Sequence, residues 1–127
     1  MILLDTSFLF ALFQKTDSNH AAAVKLATAI NNDHPVMPVE VFQELITVIT
    51  NKVSSQAAIK VGEILLASDS PIGIIHSKPP RFQTVWLNFK ELQLHKFSYV
   101  DCLLYTLAHE LECTVCTFDK TLAQQLG

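Results

Sequence analysis

Short apolar runs alternate with longer amphipathic ones along this chain, and polar breaks separate them. Met1–Leu4 is apolar without period-two alternation, the pattern of a strand covered on both faces, and Asp5 stands at its C-terminal end. Ser7–Phe13 reads as a short apolar helix, and "QKTDSN" breaks the chain before the alanine-rich helix His20–Asn32. His34–Pro38 reads as a strand bracketed by prolines. Pro38 suits the entry to the helix Val39–Asn51, whose Val41, Leu45, Val48 and Ile49 share one side. Ser54 or Ser55 caps the helix Gln56–Ser68, and Ile72–His76 is a brief strand. Phe82–Gln93 repeats Val85, Trp86 and Phe89 at helical spacing, which favours core or dimer contact over stacking on bases. Ser98 and Asp101 open the helix Ser98–Glu112 in an S-x-x-D arrangement, close in form to a capping box. Cys113–Asp119 reads as a central-type strand ending in a second aspartate, and Lys120–Leu126 as a final helix. Strands that alternate with helices predict an α/β fold, a three-layer α/β/α sandwich with a mainly parallel central sheet.

Composition narrows the class. Half of the 127 residues are apolar and only eight are glycine or proline, so a single domain with its own core is expected over residues 1–127. Nine Lys and Arg against twelve Asp and Glu leave a formal charge of -3, which excludes a protein that holds nucleic acid by overall basicity. No run approaches 18 apolar residues and the start lacks a basic leader region, so no membrane segment and a cytoplasmic location are expected. Cys102, Cys113 and Cys116 cannot all pair within one chain. The C-x-x-C of "CTVC" lies in an extended run that would turn its two cysteines to opposite faces, so free thiols are expected. The five histidines show no ligand spacing.

Chemistry concentrates in the carboxylates. Parallel strands bring Asp5 and Asp119 to the sheet edge where ligands bind, and Glu44 and Asp101 lie in the first two turns of helices that begin near that edge. Asp5 also fits the N-cap of the helix after it, with Thr6 or Ser7 competing. If the four acids converge, they must gain protons or hold cations, and an all-oxygen set points to Mg²⁺ or Mn²⁺ rather than zinc. Other carboxylate sites fit less well. The position two after Asp5 is Ser7, which removes an Asp-x-Asp phosphatase motif. No phosphate loop and no nucleophile elbow is present.

Taken together, "MILLDTSFL", "PVEVFQELITVI", "FSYVDCLLYTLAHE" and "CTVCTFDKTL" resemble the PIN domain, and so short a chain resembles the toxin nuclease of a VapBC-type toxin–antitoxin pair. The resemblance spans essentially the whole chain. It implies a Mg²⁺- or Mn²⁺-dependent endoribonuclease that hydrolyses RNA phosphodiester bonds, with Asp5, Glu44, Asp101 and Asp119 as catalytic and metal-holding acids. Thr6 or Ser7 resembles the hydroxyl that follows the first acid, and Thr117 the polar residue before the last. Glu40 either accepts hydrogen bonds in its helix's first turn or supports Glu44. Lys120, with Arg81, is the cation best placed to meet a phosphate. The partners implied are an RNA substrate, a small cognate antitoxin and a second copy in a homodimer, the last through Val39–Asn51 and Ser54–Ser68. Relatives often continue into a further edge strand, so the sheet is expected to end short. The competing reading is a non-catalytic acidic α/β domain that binds protein or RNA over a vestigial metal site.

Overall fold

A computed structural model describes residues 1–127. The chain runs β1 (Ile2–Leu4), α1 (Thr6–Phe13), α2 (His20–Ile30), β2 (Pro35–Pro38), α3 (Val39–Lys52), α4 (Ser55–Leu66), β3 (Gly73–Ile75), α5 (Pro79–Leu92), α6 (Tyr99–Leu111), β4 (Thr114–Cys116) and α7 (Lys120–Leu126). The four strands form one sheet in the order β3-β2-β1-β4, and every pair is parallel. Leu3 pairs with Val36 on one side and with Val115 on the other, so β1 is interior and needs apolar side chains on both faces. Leu3 and Leu4 are fully buried.

Parallel neighbours require crossovers, and right-handed crossovers decide where the helices go. The chain steps outward from β1 to β2 to β3, then jumps back past β1 to β4. That reversal puts α1–α4 on one face and α5–α6 on the other, giving the α/β/α sandwich, and helix packing follows it: α1 contacts α2 and α3, α3 contacts α4, and α5 contacts α6. The core lies between these layers, built from Phe8 and Leu9 of α1, Val41 and Leu45 of α3, Leu65 of α4, and Leu104 and Leu107 of α6.

Helix ends explain the boundaries. Ser54 Oγ accepts the N–H of Ala57, so Ser54 rather than Ser55 caps α4. Ser98 and Asp101 form a complete capping box at α6. Two expectations change. The helix α5 begins at Pro79, not Phe82, because Pro79 and Pro80 occupy first-turn positions whose missing N–H groups have no intrahelical acceptor to lose. The strand β4 is an edge strand, not a central one, and it stops at Cys116. Its β-branched composition suits any strand, whereas the jump across β1 leaves its outer edge unpaired. Along α5, Phe82 and Trp86 are 62% and 44% exposed, so their helical spacing with buried Val85 does not make them core residues.

Candidate functional site

The reversal of strand order between β1 and β4 leaves a crevice beyond the carboxyl ends of those two strands, the position where open α/β sheets hold ligands. Asp5 leaves β1 there and is 3% exposed. Its Oδ1 accepts the Thr6 N–H at 2.8 Å, and Oδ2 accepts the hydroxyls of Ser7 at 2.7 Å and Thr117 at 2.6 Å. The side chain is therefore the N-cap of α1 and also the tie between β1 and the segment after β4. Ser7 Oγ accepts the Phe118 N–H and Thr117 Oγ1 accepts the Asp119 N–H, while both hydroxyls donate to Asp5. Thr6 Oγ1 is buried on the same wall without a partner.

Asp119 caps α7, with Oδ1 accepting the Leu122 N–H at 2.8 Å. Asp101 sits one turn into α6, 8% exposed, with Oδ2 accepting the Ser98 N–H at 2.9 Å. Burial pushes the Asp101 carboxyl up to about 6, the negative charges of Asp5 and Asp119 add to the rise, and the bond from Ser98 opposes it. Glu44 projects from α3, half-buried. All four acids line one open cavity of about 820 Å³, a volume within the range of ligand sites.

Sharing a wall is not convergence. Nowhere do three His, Cys, Asp or Glu side chains come together as a group that could hold a metal ion. Among these carboxylates, Asp5 accepts protein donors on both oxygens, and Asp101 and Asp119 each turn one oxygen back onto a helix N-terminus. Hard divalent cations take several oxygen ligands at once, and this donor set does not supply them. The expectations of a Mg²⁺ or Mn²⁺ cofactor and of a metal-dependent endoribonuclease are corrected accordingly.

The cavity includes residues that the sequence alone did not assign to it. Asp17 from the polar break after α1 is a fifth acid, and Lys52, His95 and Lys96 stand among the other lining residues. Lys52 lies 5.3 Å from the ring centre of Phe10. Only the polarity of "QKTDSN" and of the segment before Ser98 hinted at Asp17, His95 and Lys96. Glu40 does not face this cavity, and neither do the cations expected to meet phosphate. Lys120 is exposed at the start of α7, and Arg81 donates from Nε to Glu110 at 2.9 Å on α6. All three cysteines are free. No helix is long and apolar enough to cross a membrane.

Known structures share this fold. VapC20 of Mycobacterium tuberculosis, a sarcin-ricin loop cleaving toxin, superposes with a TM-score of 0.85 at 20% identity, over 98% of this chain and 94% of that one. VapBC2 of Rickettsia felis, bound to a DNA fragment from their promoter, gives 0.72 at 15% identity, over 98% and 92%. FitAcB of Neisseria gonorrhoeae gives 0.66 at 19% identity, over 99% and 93%. Comparison with curated protein sequences finds no match. The PIN domain family matches residues 2–125, and with that span, this sheet order and a fold resembling VapC-type toxins, the chain belongs to the PIN domain family.

Proposed function

We propose that this chain is a non-catalytic PIN-fold binding domain whose acidic cavity receives a basic segment of a small partner protein. The observation that carries this reading is that Asp5, Glu44, Asp101, Asp119 and Asp17 line one cavity without the geometry to hold a metal ion. Carboxylates left without a cation attract one, and an inserted arginine answers that charge with five N–H donors that need no octahedral ligand set. A lysine would answer it as a point charge. An apolar cavity of about 170 Å³ between α1, α2 and α4, lined by Leu4, Phe8, Leu12 and Ile64, supplies a seat for a leucine anchor of the same partner. The VapBC pairing named for the R. felis structure supports a partner of the antitoxin kind.

Two further features belong to this reading. Exposed Val53, Ile59, Ile64 and Leu66 on and beside α4 support a homodimer through α3 and α4. The free cysteines suit a reducing, cytoplasmic setting.

Co-expression with the product of an adjacent small gene tests the partner. The two proteins are expected to co-purify, and Asp5→Asn with Glu44→Gln is expected to weaken the complex at least about tenfold, the scale of a lost charge-assisted pair. The chain alone is expected to leave RNA intact in millimolar Mn²⁺. Cleavage that Asp101→Asn abolishes would end the non-catalytic reading, and a complex indifferent to both cavity substitutions would end the choice of cavity.

A further inference from the structure

A further small cavity lies away from the acidic one, where the starts of α3, α5 and α6 meet. It measures about 160 Å³. Two polar atoms beside it have nothing to bind: Glu40 Oε1, from the first turn of α3, and Tyr99 Oη, from the first residue of α6, are buried without any hydrogen-bond partner. Native proteins leave few such atoms, and each calls for a specific account. Burial, with Cys102 and Glu40 nearby, pushes the Tyr99 phenol up, so its hydroxyl keeps its proton and can donate. The cavity lining thus offers a carboxylate acceptor and a hydroxyl donor.

Its mouth offers two more features. The ring of Phe82 is 62% exposed and lies 6.4 Å from that of Tyr99, tilted by 41°, so one face of it is free. Lys78 is exposed and forms no ion pair, and Arg81 uses only Nε, on Glu110.

These features exclude most ligands in turn. A lysine or arginine side chain would be repelled by Lys78 and Arg81, which line the cavity. Free phosphate or a carboxylate would be repelled by Glu40. The volume is below that of sites for drug-sized ligands, and suits a single ring system whose remainder stays outside. A nucleotide meets every condition: a flat base with N–H and carbonyl groups on one edge, and a phosphate beyond it. Guanine alone among the common bases carries two adjacent N–H groups beside a carbonyl on its pairing edge, matching a carboxylate and a hydroxyl.

We propose that this cavity is a guanine-nucleotide site, in which the base donates N–H to Glu40, accepts from the Tyr99 hydroxyl, stacks on Phe82 and extends its phosphate to Lys78 and Arg81. The site shares no residue with the acidic cavity and does not depend on what binds there.

Calorimetric titration of the full chain with guanosine monophosphate tests the site, alongside adenosine and inosine monophosphates, guanosine, and a heptameric RNA with a 5′-phosphorylated guanosine. Guanosine monophosphate is expected to bind at least about tenfold tighter than adenosine monophosphate, the ratio that one well-matched set of base contacts supplies. Inosine monophosphate, which lacks one N–H group, falls between them. Glu40→Gln and Phe82→Ala each lower the affinity about tenfold, and Lys78→Ala weakens the nucleotide while sparing guanosine. Phe82 is exposed, so its substitution leaves the fold intact, as circular dichroism would check. Tighter binding of the heptamer assigns the base to the end of an RNA strand, and tighter binding of the mononucleotide assigns it to a free ligand; both support the site. No binding at millimolar nucleotide, equal binding of the guanine and adenine forms, or indifference to Phe82→Ala and Lys78→Ala overturns it. So does a Phe82→Ala chain that changes only its mass in solution, since the ring would then cover a second copy.

Discussion

Asp101→Asn is expected to stabilise the protein at neutral pH and to do so less as the pH falls. The carboxyl moves from 3.8 to about 6 on folding, which corresponds to about 3 kcal/mol of preference for its protonated form. Between about pH 4 and pH 6 the folded chain holds a proton that the unfolded chain has released, so stability falls as pH rises through that window and levels off above it. The ionised group's full cost of about 3 kcal/mol is therefore present at pH 7.5 and absent near pH 4. Asparagine keeps an oxygen for the Ser98 N–H, but loses a charge that favours the α6 N-terminus by about 0.3–1 kcal/mol. The net gain at pH 7.5 is about 2 kcal/mol, or about 8 °C in Tm for a chain of this size. Urea denaturation of both forms at pH 4.5, 6 and 7.5 isolates the effect, since every other titrating group is common to the two. A stability difference that does not change with pH, or a less stable asparagine form at pH 7.5, would refute the assignment of Asp101's raised pKa to its buried place beside Asp5 and Asp119.

Thr117→Val removes the 2.6 Å donor to Asp5 and the acceptor of the Asp119 N–H, and is expected to cost about 1.5–3 kcal/mol by urea denaturation, the scale of a hydrogen bond to a charged group. Glu112→Gly relieves a left-handed backbone position at φ 50° that closes α6, and is expected to raise stability by about 0.5–1 kcal/mol once the greater freedom of unfolded glycine is counted. The thiols are expected to react slowly with a disulfide reagent at pH 8, because burial, helped by Asp5, pushes Cys116 up to about 11 and leaves only about one thiol in a thousand ionised. Fast modification of the folded chain would show that Cys116 is more open than its burial implies.

Much of the fold was legible because it rests on local signals. The apolar run Met1–Leu4, the Ser98–Asp101 pair and the amphipathic spacing of Val41, Leu45 and Ile49 each record a strand, a cap or a buried face directly, and the elements lie within a few residues of where those signals put them. The place of β4 was not legible. A strand's side chains report how well it fits a pleated surface, whereas its rank in the sheet depends on a crossover that spans α5 and α6. The exposure of Phe82 and Trp86 escaped for a related reason: helical spacing says that residues share a face, but not that another layer covers it.

The candidate site divides along the same line. Parallel strands and helix starts bring Asp5, Glu44, Asp101 and Asp119 to one edge, where they line one cavity without forming a group that could hold a metal ion. Whether they could share an ion depends on where each carboxylate oxygen points, and that is decided by bonds to Thr6, Ser7, Thr117, Ser98 and Leu122 that no spacing rule encodes. Of the two readings opposed at Asp5, a helix cap or a catalytic or metal-binding acid, the cap is seen directly, with Oδ1 accepting the first N–H of α1, and no group able to hold a metal ion forms around it. The cavity keeps its negative charge without a group placed to hold a small divalent ion, and the proposed guanidinium or ammonium partner needs only that charge and one or two acceptors.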